Sequence, residues 1–459
     1  MKVSVYAQVP FFETSFGQAG ADIAFSVKQN PDSNLYVFGY SQSAANQSVD
    51  FALSKLSPSG TLYWTKYYGT PDVDFGLNMN LADSFNLVLV GVVETTSNLG
   101  QEVLLIKVDS AGQEIWRHTY GGVGNQSCKF VQKTSDGGYI MCGYASDSFG
   151  ANDNYVLKVD GAGNFMWDST YGGTDIEYAS RILEMPGNSF VMSADTRSYG
   201  SGGFDAMLSK IDATGFEFWN AVHGDQFQNG CQGFIKTSAD VFVVWGETEI
   251  FQNSYFDFFQ YMFDSDGNYI RQSVFGGVGA DAMFDLVETP NGDFMATGYS
   301  NSQSGGQQPI NVAIVRTDSL GNLLWSREYG DSSIDIGYNI IPALGGGYYV
   351  AGRITLADEE FYLMHIDENG LTGIEQPASE RLATLSVFPN PADGFCRLES
   401  GFEVEQWRIL DMSCREVMTL PGTMENRKTL STSSLSTGSY LVEASGKGRK
   451  SIAKLLIVR

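Results

Sequence analysis

Basic residues are scarce in this chain: 28 Lys and Arg stand against 53 Asp and Glu, a formal charge of −25 over 459 residues. So thin a basic complement excludes a nucleic-acid surface, which needs clustered cations to displace counterions from phosphates. Nowhere do about 18 apolar residues follow one another, so no transmembrane helix is encoded. Cysteine is rare and odd in number, and Cys128, Cys142, Cys231, Cys396 and Cys414 include no CxxC pair. That removes zinc knuckles and thioredoxin-like chemistry. Cys128 with Cys142, and Cys396 with Cys414, are either bridges between adjacent strands or buried free thiols. No GxSxG, HExxH, P-loop or D-x-[DN]-x-[DN]-G pattern is present, so no catalytic residue, metal ligand or cofactor is assigned. What the chain does have is 52 glycines and 13% aromatic residues, the composition of a glycine-punctuated globular protein.

Charge is unevenly spread. Residues 383–459 hold ten basic and eight acidic side chains, net +2, and the first 382 hold the other 18 and 45, net −27. Two bodies with different roles are expected. The first eight residues, MKVSVYAQ, have a basic start and a small-residue Val5-Tyr6-Ala7 end, and read as the remnant of a secretion signal.

A Tyr/Phe/His-Gly dipeptide places glycines at 17, 69, 121, 172, 224, 276 and 330, at intervals of 52, 52, 51, 52, 52 and 54. Such a period marks one supersecondary block used seven times. A second small residue follows each by 22 positions: Gly39, Gly91, Gly143, Ala194, Gly246, Gly298 and Gly352. An acid or amide comes next, at Asp50, Glu102, Asp153, Asp205, Asp257, Asn311 and Glu360, and seven residues later a turn residue, from Ser57 to Asp367, with a glycine three beyond it. All length variation lies between the second small residue and the acid.

Each block reads as four short strands, the first alternating apolar and polar as at 23–28, and the fourth carrying an aromatic such as Trp64 or Trp325. Seven such blocks predict an all-β, seven-bladed β-propeller over residues 9–370. The seventh block lacks its fourth strand, while Phe12 precedes Gly17 as Trp325 precedes Gly330, so residues 9–15 are expected to close the ring. The stretch "YGG…DGGYIMCGY…DNYVLKVDGAGNFMW" resembles bacterial secreted β-propeller repeats. The D-x-x-G-x-x-x-W run, best seen at Asp212, Gly215 and Trp219, also resembles the tryptophan-docking repeat of quinoproteins, with no cofactor residues to carry over.

After a 371–382 linker the texture changes, and residues 383–459 read as a small immunoglobulin-like β-sandwich. This part is similar to the type A C-terminal sorting domain of the Bacteroidetes type IX secretion system. The matching residues are Pro389, Asn390 and Pro391, Asp411 before Arg415, Gly438 and Tyr440, and a basic apolar end at Lys454 and Arg459; Cys414 stands where a glycine is usual. The resemblance implies passage across the outer membrane, with the secretion machinery as partner of residues 383–459.

Two polar rings point toward the face that carries the variable loops between second and third strands. One is Asp22, Asp74, Gln126, Glu177, Asn229, Asp281 and Asp335; the other is the acid that opens strand three. Seven equivalent sites indicate turn-capping, with a cation-binding mouth as the alternative. Departures from the repeat are better clues to a ligand: Asp195, Arg197, Glu247 and Glu249 in adjacent blocks, with Arg353 at the equivalent position in the last. His223 and Arg271 stand where Tyr and Trp recur in the other blocks, and are assigned to the fifth block with Glu247. Tyr40, Tyr144, Tyr199, Tyr255 and Tyr299 are candidates to stack on sugars. The expectation is a monomeric secreted or surface-attached binding protein whose partner is a glycan or other cell-surface ligand. A polysaccharide hydrolase or lyase using paired carboxylates is the alternative.

Overall fold

The computed structural model describes residues 11–372 and 385–457, except 44–47, 96–99, 123, 147–150, 250–254, 303–305, 307–308, 331–332, 389, 391, 401–402, 412–414, 422–424 and 447–448. Every regular element in it is a β-strand. Seven four-stranded antiparallel sheets follow one another, spanning residues 22–68, 73–120, 126–171, 177–223, 229–275, 281–329 and 336–366, and are called blades 1 to 7. Blade 7 has three strands of its own and takes its fourth from Phe12–Phe16, which pairs with Glu359–Ile366 in the register Phe12↔His365. Phe12–Phe16 thus closes the ring, one residue further along than the expected 9–15, of which residues 9 and 10 lie outside the described residues. His223 lies on the last strand of blade 4, not in blade 5.

The recurring glycines have identifiable causes. In all seven blades the pairing of first and second strands skips one residue: Phe25, Leu77, Lys129, Ser180, Gln232, Phe284 and Tyr338. Such a bulge bends the strand and re-aims the extra side chain. It also drives a carbonyl toward the second strand, where the second small residue of the repeat sits. A Cβ on Gly39 would lie 1.8 Å from the Ile23 oxygen, and one on Gly143 would lie 2.0 Å from that of Ser127.

A second glycine links blade to blade. In the turn between third and fourth strands, an aspartate accepts backbone N–H groups, as Asp109 does from Ala111 at 2.9 Å and Gln113 at 2.8 Å. The turn then needs a left-handed residue, and Gly112, Gly163, Gly215 and Gly370 have φ between +70° and +86°. The preceding blade covers that glycine. Tyr68, Tyr120 and Tyr171 donate their hydroxyls to the carbonyls of Gly112, Gly163 and Gly215 at 2.8, 2.5 and 2.7 Å, and Tyr329 does so to Gly370. Trp64, Trp116, Trp167, Trp219 and Trp325 lie against the same glycines or their equivalents, and Phe12 does so against Gly60 across the closing seam. The D-x-x-G, Trp and Tyr-Gly signals are thus three parts of one inter-blade contact. Three seams depart from it: His223 stacks on Tyr269 at 3.8 Å in place of a tyrosine, Arg271 reaches Asn322 at 3.4 Å where a tryptophan would sit, and the closing seam has Phe12 and Phe16 in the Trp and Tyr places.

Cys128 packs with Val88, Val90 and Leu105 toward blade 2, whereas Cys142 packs with Ala179 and Met192 toward blade 4. They face opposite sides of blade 3, so both are free thiols, and Cys396 is also free and buried. Cys414 lies outside the described residues.

The C-terminal part is the expected sandwich. One sheet is Leu385–Phe388, Phe395–Ser400 and Arg427–Ser431; the other is Glu416–Pro421, Gln406–Asp411, Gly438–Gly446 and Arg449–Ile457. Their inner faces share one core built on Leu398, Leu430, Trp407, Ile409, Val442 and Ala444.

Removing the Phe12–Phe16 strand should expose the edge of Glu359–Ile366 and uncover Gly60, and so lower the thermal midpoint of the propeller sharply. An unchanged midpoint in a melt followed by tryptophan fluorescence would refute the closure.

Candidate functional site

First strands from all seven blades surround an axial cavity of about 210 Å³. Toward the loop face stands the ring of acids and amides that opens those strands, and these groups are turn caps. Gln18 N–H donates to Asp22, Thr70 N–H to Asp74 and Gly277 N–H to Asp281, at 2.7, 2.7 and 3.0 Å; Thr355 N–H donates to Asp335 at 2.9 Å. The second ring closes on the same turns, since a Cβ on Gly69 would strike the Asp50 carboxylate and one on Gly224 that of Asp205. Burial pushes Asp74 and Asp205 up to about 6. Among the described residues no group of three or more His, Cys, Asp or Glu could hold a metal ion.

One residue beyond each bulge stands Ser26, Asn78, Phe130, Arg181, Gly233, Asp285 or Asn339, and here the sevenfold repeat breaks down. Arg181 of blade 4 passes blade 5 and pairs with Asp285 of blade 6 at 2.6 Å, with side-chain exposures of 17% and 4%. Blade 5 lets it pass because its residue is Gly233, whose missing side chain leaves room for the Trp245 ring; the guanidinium lies 5.0 Å from that ring and 5.1 Å from Phe130. Asp285 also accepts the Asn339 amide of blade 7 and the Ile340 N–H at 3.1 Å, and the Asn339 oxygen takes Val27 N–H of blade 1 at 2.8 Å. A continuous polar brace thus joins blades 4, 6, 7 and 1 across the axis. Burial lowers the nearby Lys28, which Asp285 partly offsets. The brace was not foreseen from the sequence, although an Arg, a Gly and an Asp in one column of successive repeats were there to find it.

The predicted ligand residues separate. Asp195 and Glu247 come together on the second strands of blades 4 and 5, close enough for the Asp195 charge to raise Glu247. Asp195 accepts Cys231 N–H, beside the blade 5 bulge, and Glu247 accepts the Gln232 amide at 3.2 and 3.3 Å. Both stand behind the cavity wall. Burial pushes Asp195 up to about 7 and Glu247 to about 8, against a lowering by Lys129. Arg197 is exposed and lies 5.0 Å from the Phe204 ring. Glu249 ends its strand, and its N–H bonds the Gln228 carbonyl at 2.8 Å. Arg353, in blade 7, is ion-paired to Glu359. Of the tyrosines, Tyr40 and Tyr299 flank the cavity aromatics, 5.9 Å from Phe25 and Phe284 respectively. Tyr144 packs on Tyr178, while Tyr199 and Tyr255 are exposed.

In the C-terminal sandwich Asn390 accepts Leu456 N–H at 2.7 Å, and Asp411 holds Arg415 at 2.9 Å. Gly438 has φ +150°, and Tyr440 donates to the Ser436 carbonyl at 3.1 Å. Lys454 lies on the last strand; Pro389, Pro391 and Arg459 lie outside the described residues.

Residues 386–458 match the family model of the secretion system C-terminal sorting domain. This segment is a type IX sorting domain, and it marks the chain as secreted or attached at the cell surface. No curated protein matches the chain. Among solved structures it is similar to the WD40 domain of Neurospora crassa Pan2, with 13% identity, 76% of this chain and 90% of that one covered, and a TM-score of 0.47. It is also similar to PorZ, a surface component of the type IX secretion system of Porphyromonas gingivalis, with 10% identity, 97% and 61% covered, and a TM-score of 0.42. For Sqt1 of Chaetomium thermophilum the values are 11%, 78% and 98%, and 0.47.

Replacing Asp285 by Ala strands a buried guanidinium and should cost about 3–5 kcal/mol, read from denaturant unfolding. The raised carboxyls set a pH dependence. Folded Asp195 and Glu247 keep protons that the unfolded chain releases from about pH 4 upward, so they make stability fall as pH rises from about 4 to about 8. Thermal melts at the two ends of that window should differ less in an Asp195→Asn, Glu247→Gln double variant than in the parent; equal differences would count against these two groups.

Proposed function

We propose that the chain is a type IX-exported propeller that binds its ligand in the axial cavity and performs no chemistry on it. The observation that carries this reading is the chemistry of the bulge ring. A scaffold position repeated seven times holds Phe, Leu, Lys, Ser, Gln, Phe and Tyr, all facing one 210 Å³ space. The turn and rim positions of the repeats keep like with like, so divergence where all blades converge supports a recognition surface. Residues 371–459 serve as linker and export address, and the acidic ring is the cargo they deliver. Asp195 and Glu247 support the pocket from behind, since each holds a group of the blade 5 bulge region.

One observation favours a second reading, an extracellular polysaccharide hydrolase or lyase. Two neighbouring carboxyls whose protons are held toward neutrality suit acid–base work. A glycan array with parallel product analysis separates the two. Retention without product, lost in Tyr338→Ala, supports binding; product formation that disappears in Glu247→Gln supports the enzyme. For the address, residues 371–459 fused to an inert reporter should reach the surface of a type IX host, and retention in the periplasm would refute it.

A further inference from the structure

We infer that the axial cavity takes a single ring bearing a carboxylate, of the kind a terminal uronic acid presents, and that Lys129 receives its charge. This rests on the binding function proposed above and names the ligand class.

The cavity has two unlike halves. Blades 6, 7 and 1 contribute Phe284, Tyr338 and Phe25, an unbroken aromatic arc with ring centroids 5.1 and 4.7 Å apart. Blades 3, 4 and 5 contribute Lys129, Ser180 and Gln232 from their bulges, with Phe130 beside Lys129, and blade 2 adds Leu77 and Asn78. An apolar ring face fits the first half and polar substituents the second. The volume of about 210 Å³ is below the roughly 300–1,000 Å³ of pockets for larger ligands, so one ring is admitted and a chain is not.

The charge follows from the cations of the wall. Arg181 is committed to Asp285 and cannot serve a ligand without breaking the brace. Among the described residues Lys129 makes no ion pair, and this half-buried residue sits on the bulge of blade 3 and lines the axial cavity. Asp195 and Glu247 are within electrostatic reach, but Asp195 already accepts Cys231 N–H and Glu247 the Gln232 amide, and burial favours their neutral forms. The Lys129 charge is thus left for a ligand. With its amide nitrogen held by Glu247, Gln232 keeps its oxygen to accept a hydroxyl.

Titration calorimetry on the full chain with D-glucuronate, benzoate and D-glucose tests this. The expected result is that a carboxylate binds at least about tenfold more tightly than glucose, as a charge-assisted hydrogen bond in a shielded site implies. Preference for glucuronate over benzoate assigns the sugar acid, and the reverse preference an aromatic acid. Lys129→Met should lose that advantage at an unchanged melting temperature, and Lys129→Arg should keep most of it. Glucose binding as tightly as glucuronate, with Lys129→Met silent, overturns the anionic ligand and leaves the binding function standing. No heat from any of the three, while the glycan array still retains a ligand, overturns the ring-sized acid alone; silence in both overturns the pocket as well.

Discussion

Everything in the propeller hangs on the contact between the outer strand of one blade and the left-handed turn glycine of the next. A tyrosine hydroxyl satisfies the turn carbonyl, an indole covers the glycine, and an aspartate inside the turn holds its amides, as in the set Tyr120, Trp116, Gly163 and Asp160. Each contact is modest, since a single hydrogen bond contributes about 1 kcal/mol net. Repetition around a closed ring makes the sum decisive, because a blade alone has too little apolar surface to stand free. Once the blades are locked at their rims, the first strands must converge on the axis. The bulge then decides which side chain each blade presents there.

That hierarchy explains what could be read from the sequence. Positions serving the rim contact, and the small residue that faces the bulge, recur with the same residue type, so the blade number, the four-strand order and the closing role of Phe12 were legible from spacing. The C-terminal sandwich was legible as well, through the residues around Asn390 and Asp411. The site was only partly so. Asp195 and Glu247 stood out because they are acidic where neighbours are tyrosines, and they do meet; but they act on the backbone and amide of blade 5 instead of lining the cavity. The residues that line it, Lys129 and Gln232 among them, stay hidden until the bulge is known, since an ideal strand would not turn that column toward the axis. The partnership of Arg181 with Asp285 spans 104 residues and skips a blade, which no periodicity reveals.

The brace and the cavity are best understood together. A ring of seven bulges encloses a space too wide for side chains to fill evenly, and this chain spends part of it on structure. Arg181, Asp285 and Asn339 tie distant blades across the axis, at the cost of desolvating a charge pair that the Trp245 and Phe130 rings shelter. What remains is small, rigidly walled and chemically lopsided. Rigidity of that kind lowers the entropy lost when a ligand is taken up.

The strand exchanged at the closing seam also sets an order of events. Glu13 accepts a hydrogen bond from Tyr362, 349 positions away, so the last contact of the ring forms between the two ends of the propeller sequence. Loop-closure entropy makes such a contact slow and late. Until Glu359–Ile366 has emerged, six blades can assemble as an open arc with one bare apolar sheet face at each end, the state most prone to associate with another chain. The strand that seals the ring precedes its partner by nearly the whole array and must wait for it, so folding of this protein is complete only when its seventh blade is.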